Sequence, residues 1–246
     1  MRLVNLVIIF ASLSISASIL FWYRNQLREE QEKKRVQALI EKISENKHEI
    51  NQAIYQYEEI LQSERYISKA KFPKWLEQWK YLKPILLEYR DSNLVQENDS
   101  EIRHLLEILL TGDSKIKHKN EKYIQQELTS NKVFFDNIED HPLTENQRKT
   151  IVIDETNNLV VAGAGSGKTS TIIGKAGYLL ENNYVDPSEL LLISFARKAR
   201  DEMFERGQEK INKELNVHTF HSLGLNIIGQ VEGCLLYTSP SPRDRS

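Results

Sequence analysis

The octet Ala162-Gly163-Ala164-Gly165-Ser166-Gly167-Lys168-Thr169 constrains the fold of this chain more than any other stretch. It stands between an apolar run and an amphipathic helical pattern. Strand, glycine-rich turn and helix, in that order, form the layout of a phosphate-binding loop. Glycines let backbone N–H groups curl round phosphate oxygens, and a helix N-terminus adds partial positive charge. Lys168 is placed to reach the β and γ phosphates and Thr169 to ligate Mg²⁺, with Ser170 next in the helix. The motif therefore predicts ATP and Mg²⁺ as ligands of residues 162–170. Its first position is Ala162 instead of the usual glycine, a change that keeps the side chain small. A dinucleotide fingerprint beginning Gly163-x-Gly165 would need glycine where Lys168 stands, so that class is excluded.

Charge neither recruits nor repels nucleic acid. The 33 basic and 35 acidic side chains nearly cancel, so any DNA groove has to be a local patch. Cys234 is the single cysteine, which rules out an intramolecular disulfide and a thiolate zinc cluster. His218 and His221 are spaced like a ligand pair, but no Cys or carboxylate cluster accompanies them, and we read them as non-metal residues. Residues 234–246, from Cys234 to Ser246, have no hydrophobic period and resemble the translation of a transposase adapter used in sequencing libraries. They are set aside as an artefactual tail, and the natural protein is expected to depart near Gly233.

Residues 3–23, beginning at Leu3 and ending with Phe21, Trp22 and Tyr23, contain no charge. About 20 apolar residues suffice to cross a bilayer as a helix, and aromatic residues suit its interface. Arg24, Arg28, Lys33, Lys34 and Arg35 follow, against Arg2 alone on the other side. This bias predicts a single-pass membrane anchor over residues 1–23 with the bulk of the chain in the cytoplasm, where ATP is. A cleaved signal peptide, with Ser16-Ala17-Ser18 near the cleavage site, and a buried core helix are the alternatives.

Residues 24–140 read as an α-helical region. Val36, Ile40, Ile43, Lys47, Ile50, Ile54, Tyr57 and Leu61 follow steps of four and three, a heptad seam interrupted by Lys47. The stripe over residues 36–61 serves either self-association as a short coiled coil or packing on its own neighbours. Trp75, Leu76, Trp79, Leu82 and Leu86 predict helix burying two tryptophans, punctuated by Pro73 and Pro84. A helix over residues 101–110 is expected to stop at Thr111-Gly112, with a polar loop or hinge over 113–120 and another helix over 121–138.

After Pro142 the pattern alternates between strand and helix. Residues 159–162 and 190–195 read as strands, 168–180 and 196–206 as helices, and Val217-His218-Thr219 as the end of a third strand. Such alternation predicts an α/β fold, a parallel sheet with flanking helices whose ligands sit at the C-terminal strand ends. Three further strings lie around it. Leu143-Thr144-Glu145-Asn146-Gln147-Arg148 puts an amide one short helix ahead of the loop, and an amide can read an adenine edge. Ser194-Phe195-Ala196-Arg197-Lys198-Ala199 leaves a strand end with an aromatic for base stacking beside cations for phosphate. Val217-His218-Thr219-Phe220-His221-Ser222-Leu223 comes last, again at a strand end. Taken singly, Gln147 reads equally as a surface residue, Phe195 as core and Thr219-Phe220-His221 as a helix cap.

In this order and spacing the strings resemble the UvrD/Rep-type superfamily 1 DNA helicases. Residues 143–148 match the family's Q motif, the octet its motif I, residues 194–203 its motif Ia and Thr219-Phe220-His221 its motif Ib. The resemblance covers roughly the C-terminal half and does not reach residues 3–23. It implies a partial RecA-like lobe over residues 141–233 and an ATP-driven motor that walks 3′ to 5′ on single-stranded or partly duplex DNA. It further implies adenine recognition by Gln147, phosphate and Mg²⁺ handling by Lys168 and Thr169, and a DNA track lined by Phe195, Lys198, Thr219, Phe220 and His221. Ile151-Val152-Ile153-Asp154-Glu155 superficially spells the family's acidic motif, but it lies ahead of the loop, where it reads as the helix carrying Gln147. The acidic motif, the late arginine motifs and the second lobe are not found, so the resemblance implies the first portion of a helicase. A tethered scaffold that only switches on binding nucleotide, and a DNA-independent ATPase with Phe195 and His221 in its core, are the alternatives.

Overall fold

The computed structural model describes residues 2–92, 99–163 and 165–232, with side chains from residue 19 onward. The tail after Gly233 and Ala164 of the octet lie outside the described residues. The chain divides into two units, Met1–His118 and Lys119–Ser246.

The first unit is helical: α1 (Arg2–Glu45), α2 (Lys47–Leu61), α3 (Lys71–Trp79), α4 (Leu82–Asp91) and the first part of α5 (Ser100–Ser130). Asn46 separates α1 from α2, its side-chain amide donating to the Lys42 carbonyl at 2.8 Å. The heptad seam is thus broken at its middle, and its buried members face inward. Its members Ile50 and Tyr57, with Leu39 and Ala53 beside the seam, join Phe72, Trp75, Trp79, Leu82 and Leu86 in one core, and Ile43, Ile54 and Leu61 pack against it. Self-association through residues 36–61 is therefore not supported, because most of the stripe from Ile43 onward packs within its own unit. Pro73 and Pro84 each occupy the third position of a helix, in the first turn where a missing N–H costs nothing. Trp75 Nε1 donates to the Ala53 carbonyl at 2.9 Å and Trp79 Nε1 to Gln56 Oε1 at 3.0 Å, so both buried indoles are satisfied.

Two expectations fail here. Helix α5 does not stop at Gly112 but continues through residues 113–120 to Ser130, a further helix α6 (Lys132–Asn137) starting after Asn131. Glycine inside a helix costs about 1 kcal/mol relative to alanine, which favours a stop. Packing overrides it: the Tyr57 hydroxyl donates to the Gly112 carbonyl at 2.9 Å, and a Cβ there would lie 2.6 Å from Phe72 Cε2. Gly112 is the gap that lets two aromatic rings reach the helix backbone.

The second correction concerns the membrane. Among the described residues no helix is long and apolar enough to cross a bilayer. The anchor expected over residues 3–23 is therefore withdrawn, and with it the single-pass membrane localisation, the cytoplasmic orientation and the tether.

Buried tyrosines give both units a pH signature. Desolvation, with the charges of Asp113 and Glu107 behind it, pushes the Tyr57 phenol up to about 12. Burial, then hydrogen bonds with Glu127 and Tyr123, holds the Tyr178 phenol still higher. A raised phenol pKa contributes stability that is complete below the unfolded value of about 10 and is lost as pH rises through the folded value. In a 295 nm titration we expect Tyr57 and Tyr178 to ionise only together with unfolding. Full, reversible ionisation of all ten tyrosines by pH 11 with unchanged helicity would contradict this.

The second unit contains α6, α7 (Glu145–Val152), α8 (Lys168–Glu181), a 3-10 turn at Pro187–Glu189, β1 (Leu191–Ser194), α9 (Arg197–Ile211), β2 (Asn216–Thr219) and α10 (Phe220–Glu232). Strands β1 and β2 are parallel, with Leu191 opposite Asn216 and Ser194 opposite Thr219, and α9 is the crossover between them. Helix α9 ends at Asn212, left-handed at φ 54°. The core gathers Phe135, Ile138, Leu143, Ile151, Ile173 and Tyr178 around α7 and α8, with Met203, Ile211 and Val217 beneath α9.

The expected α/β fold is corrected to a mainly helical one. Among the described residues the sheet has two strands, and residues 159–162 form none. A strand exists through its ladder partner, and no described segment pairs with this run. Leu159 is 90% exposed and Val161 87%, so the apolar residues that read as a buried strand stand open.

Candidate phosphate loop and DNA track

The loop joins residues 159–162 to α8, whose N-cap is Gly167. Gly165 and Gly167 have φ of 71° and 80°, a region that costs other residues about 1–2 kcal/mol. A side chain at Gly167 would in addition collide with Gln147 Nε2. The Lys168 ammonium donates to the carbonyls of Gly163 at 2.6 Å and Ala162 at 3.3 Å, so it lies back across the turn it belongs to. Ser166 Oγ donates to the Gly163 carbonyl at 2.8 Å. The space beside Gly163 and Gly165 is open, with no atom within 4 Å of a Cβ built there. Open backbone, a helix N-terminus and a flexible cation form a donor set that fits a polyphosphate. Among the described residues no cluster of His, Cys, Asp or Glu could hold a metal ion. Thr169 would therefore hold Mg²⁺ only jointly with phosphate oxygens.

Gln147 is brought to the loop by α7. Thr144 caps that helix in a capping box: Gln147 N donates to Thr144 Oγ1, and Gln147 Oε1 accepts from Thr144 N at 2.8 Å. The other end of the same amide donates from Nε2 to the Ser166 carbonyl at 3.2 Å. Gln147 thus bridges the head of α7 to the loop. The helix behind it is anchored at both ends. Arg148 donates to the Leu143 carbonyl at 2.6 Å and to Asp136 Oδ1 at 2.6 Å, and that hydrogen bond holds the Asp136 carboxyl below its usual range. Lys175 on α8 donates to the carbonyls of Ile151 and Ile153 at 2.7 and 3.1 Å, where α7 ends. Residues 151–152 indeed belong to the helix carrying Gln147, while Asp154, beyond its end, pairs with Lys175 at 3.4 Å.

Sequence reasoning missed the contact between α8 and α9. Arg206 donates from Nη2 to Ser170 Oγ at 3.0 Å and to Glu139 Oε2 at 2.6 Å. No local spacing signals it, since the partners are 36 and 67 residues away. Burial works against the Arg206 charge, but hydrogen bonds and charge from Glu139 and Glu202 more than offset it, and its pKa stands above the usual arginine value.

The expected track residues fall at the C-terminal ends of the two strands. Because Ser194 pairs with Thr219, Phe195 and Phe220 leave adjacent strands at the same level. They are 90% and 63% exposed. Lys198 and His221 are exposed beside them, in the first turns of α9 and α10. Thr219 is buried and acts as a cap: Ser222 N donates to Thr219 Oγ1 at 3.2 Å, and Thr219 N donates to Ser222 Oγ at 2.9 Å. Ser194 is likewise buried, its hydroxyl donating to the Ala196 carbonyl at 2.9 Å. The small polar residues close the strand ends and the aromatics are pushed out. A cleft of about 680 Å³ opens elsewhere, between the 3-10 turn, α9 and β2, lined by Pro187, Arg200, Phe204, Glu214, Leu215 and His218. No loop residue lines it.

Residues 143–232 match the model of the UvrD/REP helicase N-terminal domain. Over this segment the chain is similar to the UvrD/REP helicase family. Over 112 residues it is 43% identical to DNA helicase IV of Escherichia coli (strain K12), covering 45% of this chain and 16% of that protein. Over 101 residues it is 38% identical to the ATP-dependent DNA helicase Rep of Buchnera aphidicola subsp. Schizaphis graminum, covering 39% of this chain and 15% of that protein. ATP-dependent DNA helicase SRS2 of Saccharomyces cerevisiae is 36% identical over 93 residues, 35% of this chain and 8% of that protein. The chain therefore spans about a sixth of the length of the first two relatives. The UvrD/REP segment contains the loop, Gln147 and both exposed phenylalanines, whereas Glu139 lies just ahead of it.

Proposed function

We propose that this chain carries the nucleotide-binding loop and part of the single-strand track of an ATP-dependent DNA helicase working 3′ to 5′. ATP would be held with its phosphates on the amides of residues 163–169, Lys168 neutralising the β and γ charge and Thr169 sharing Mg²⁺. Gln147 would sense the nucleotide through the loop carbonyl it already holds. DNA would lie across the strand ends, with bases on Phe195 and Phe220 and phosphates on Lys198. ATP supplies the free energy of phosphoryl transfer. These residues bind, orient and neutralise it, and they do not by themselves include a carboxylate to position water or an arginine for transition-state charge.

The observation that carries this reading is the pair of exposed phenylalanines held level by the β1–β2 register. Two large rings in solvent at adjacent strand ends are costly for a core and suited to base stacking, worth about 1–3 kcal/mol per base. Fluorescence anisotropy with a labelled oligothymidylate tests it. Replacing both Phe195 and Phe220 by alanine is expected to weaken single-strand binding by at least about 10-fold while Mg²⁺-nucleotide binding persists. Undiminished affinity for the oligonucleotide would instead favour a DNA-independent ATPase.

A further inference from the structure

One largely buried guanidinium joins the helix that begins at the phosphate loop to the helix that begins at the track. Arg206 of α9 reaches Ser170 of α8 with Nη2, shares that nitrogen with Glu139 Oε2, and holds Glu202 Oε1 at 3.1 Å with Nη1. The Arg206 side chain is 24% exposed and that of Glu139 10%. The second Glu139 oxygen is buried with no hydrogen-bond partner among the described residues. Drawing the guanidinium away would leave this carboxylate buried and uncompensated, a strongly unfavourable state. The link is therefore stiff, and it resists stretching between its two helices.

Its ends lie at informative places. Ser170 is in the first turn of α8, two residues after Lys168, where a displacement moves the amides that face phosphate. Helix α9 is capped by Ala196, the residue after exposed Phe195, and carries Lys198 in its first turn. A rigid helix displaced at its head by DNA carries Arg206 with it, and Arg206 carries Ser170. We propose that Arg206 is a positioning residue that couples the DNA track to the phosphate loop through Ser170, with Glu139 holding the guanidinium in place. This rests on the nucleotide and single-strand reading above.

The test uses the whole chain, a fluorescent Mg²⁺-ATP analogue and an oligothymidylate. Nucleotide affinity is measured with and without saturating oligonucleotide, and the ratio of the two constants is the coupling. For the unmodified chain the ratio is expected to differ from one by at least about 5-fold. Arg206→Ala is expected to bring it to within about 2-fold of one, and Arg206→Lys, which keeps the charge but not the fork, to restore only part. A merely structural role would weaken nucleotide binding equally in both conditions and leave the ratio unchanged. Coupling that survives Arg206→Ala overturns the proposal alone. An unmodified chain that binds both ligands without coupling does the same, and leaves the functional reading standing. Failure to bind either ligand removes the functional reading and the proposal together. If Arg206→Ala does not fold by circular dichroism, Ser170→Ala, which leaves the guanidinium on both carboxylates, replaces it. Loss of coupling there supports the proposal and retention overturns it.

Discussion

Alanine at Lys168 is expected to abolish nucleotide-dependent activity while leaving the fold intact. The ammonium is exposed and its partners are two loop carbonyls, so its removal leaves no buried group unpaired. Substitutions of that kind usually change stability by about 0.5 kcal/mol or less. A polyphosphate, by contrast, loses the mobile cation at the mouth of a loop whose remaining donors are backbone amides. Removing a preorganised donor from developing charge typically costs about 10²- to 10³-fold in turnover. In a polypeptide carrying this segment with a complete motor, single-strand-stimulated ATP hydrolysis should fall by at least that factor. In the present chain, binding of the fluorescent Mg²⁺-nucleotide should fall at least about 10-fold, with an unchanged circular dichroism spectrum. Full stimulated hydrolysis in Lys168→Ala would sink the assignment of the loop.

The second large effect is on stability. Phe135 is fully buried, its ring stacked 6.1 Å from Tyr178, in edge contact with Phe134 at 5.3 Å, and under the Arg148 guanidinium at 5.8 Å. Its carbonyl accepts from Leu143 N at 3.1 Å, which fixes where the segment leading into α7 leaves α6. Phe135→Ala empties the junction of α6, α7 and α8, and truncations of this kind cost about 3–5 kcal/mol. Against a total stability of about 5–15 kcal/mol, the denaturant midpoint followed at 222 nm should drop sharply. Because Arg148 and Gln147 ride on the same short helix, nucleotide affinity should weaken in parallel. A shift below about 1 kcal/mol would show that this core does not hold the unit together.

What could be read from residue order was mostly local. The helix after the loop, the helix after Phe195 and the strand around Val217 all lie where periodicity put them, since each is a short amphipathic or β-branched run with its own punctuation. The capping pair Thr144 and Gln147 is likewise a matter of three-residue spacing. Pro73 and Pro84 read as punctuation but sit inside helices, because first-turn positions tolerate them.

Errors arose where a partner distant in sequence decides. Gly112 read as a helix stop until Tyr57 and Phe72, 55 and 40 residues upstream, were found packed on it. Residues 159–162 read as a strand from composition, but a strand is a property of two backbones and no described neighbour pairs with them. The charge-free run at residues 3–23 read as a span, yet among the described residues no helix is long and apolar enough to cross a bilayer.

The sequence by itself therefore determined what the loop has to offer, because Gly165, Gly167, Lys168 and Thr169 bring backbone freedom, charge and a hydroxyl at fixed spacing. It also carries the similarity of residues 143–232 to the UvrD/REP helicase N-terminal domain. Tertiary structure alone decided which side chains meet the loop: Gln147 on its carbonyl, Lys175 behind α7, and Arg206 with Glu139 on Ser170. It also decided that Phe195 and Phe220 stand side by side in solvent while Thr219 is buried. The reason is physical. Conformational preference and charge are properties of single residues, whereas burial and hydrogen-bond partnership are properties of pairs that only the folded chain brings together.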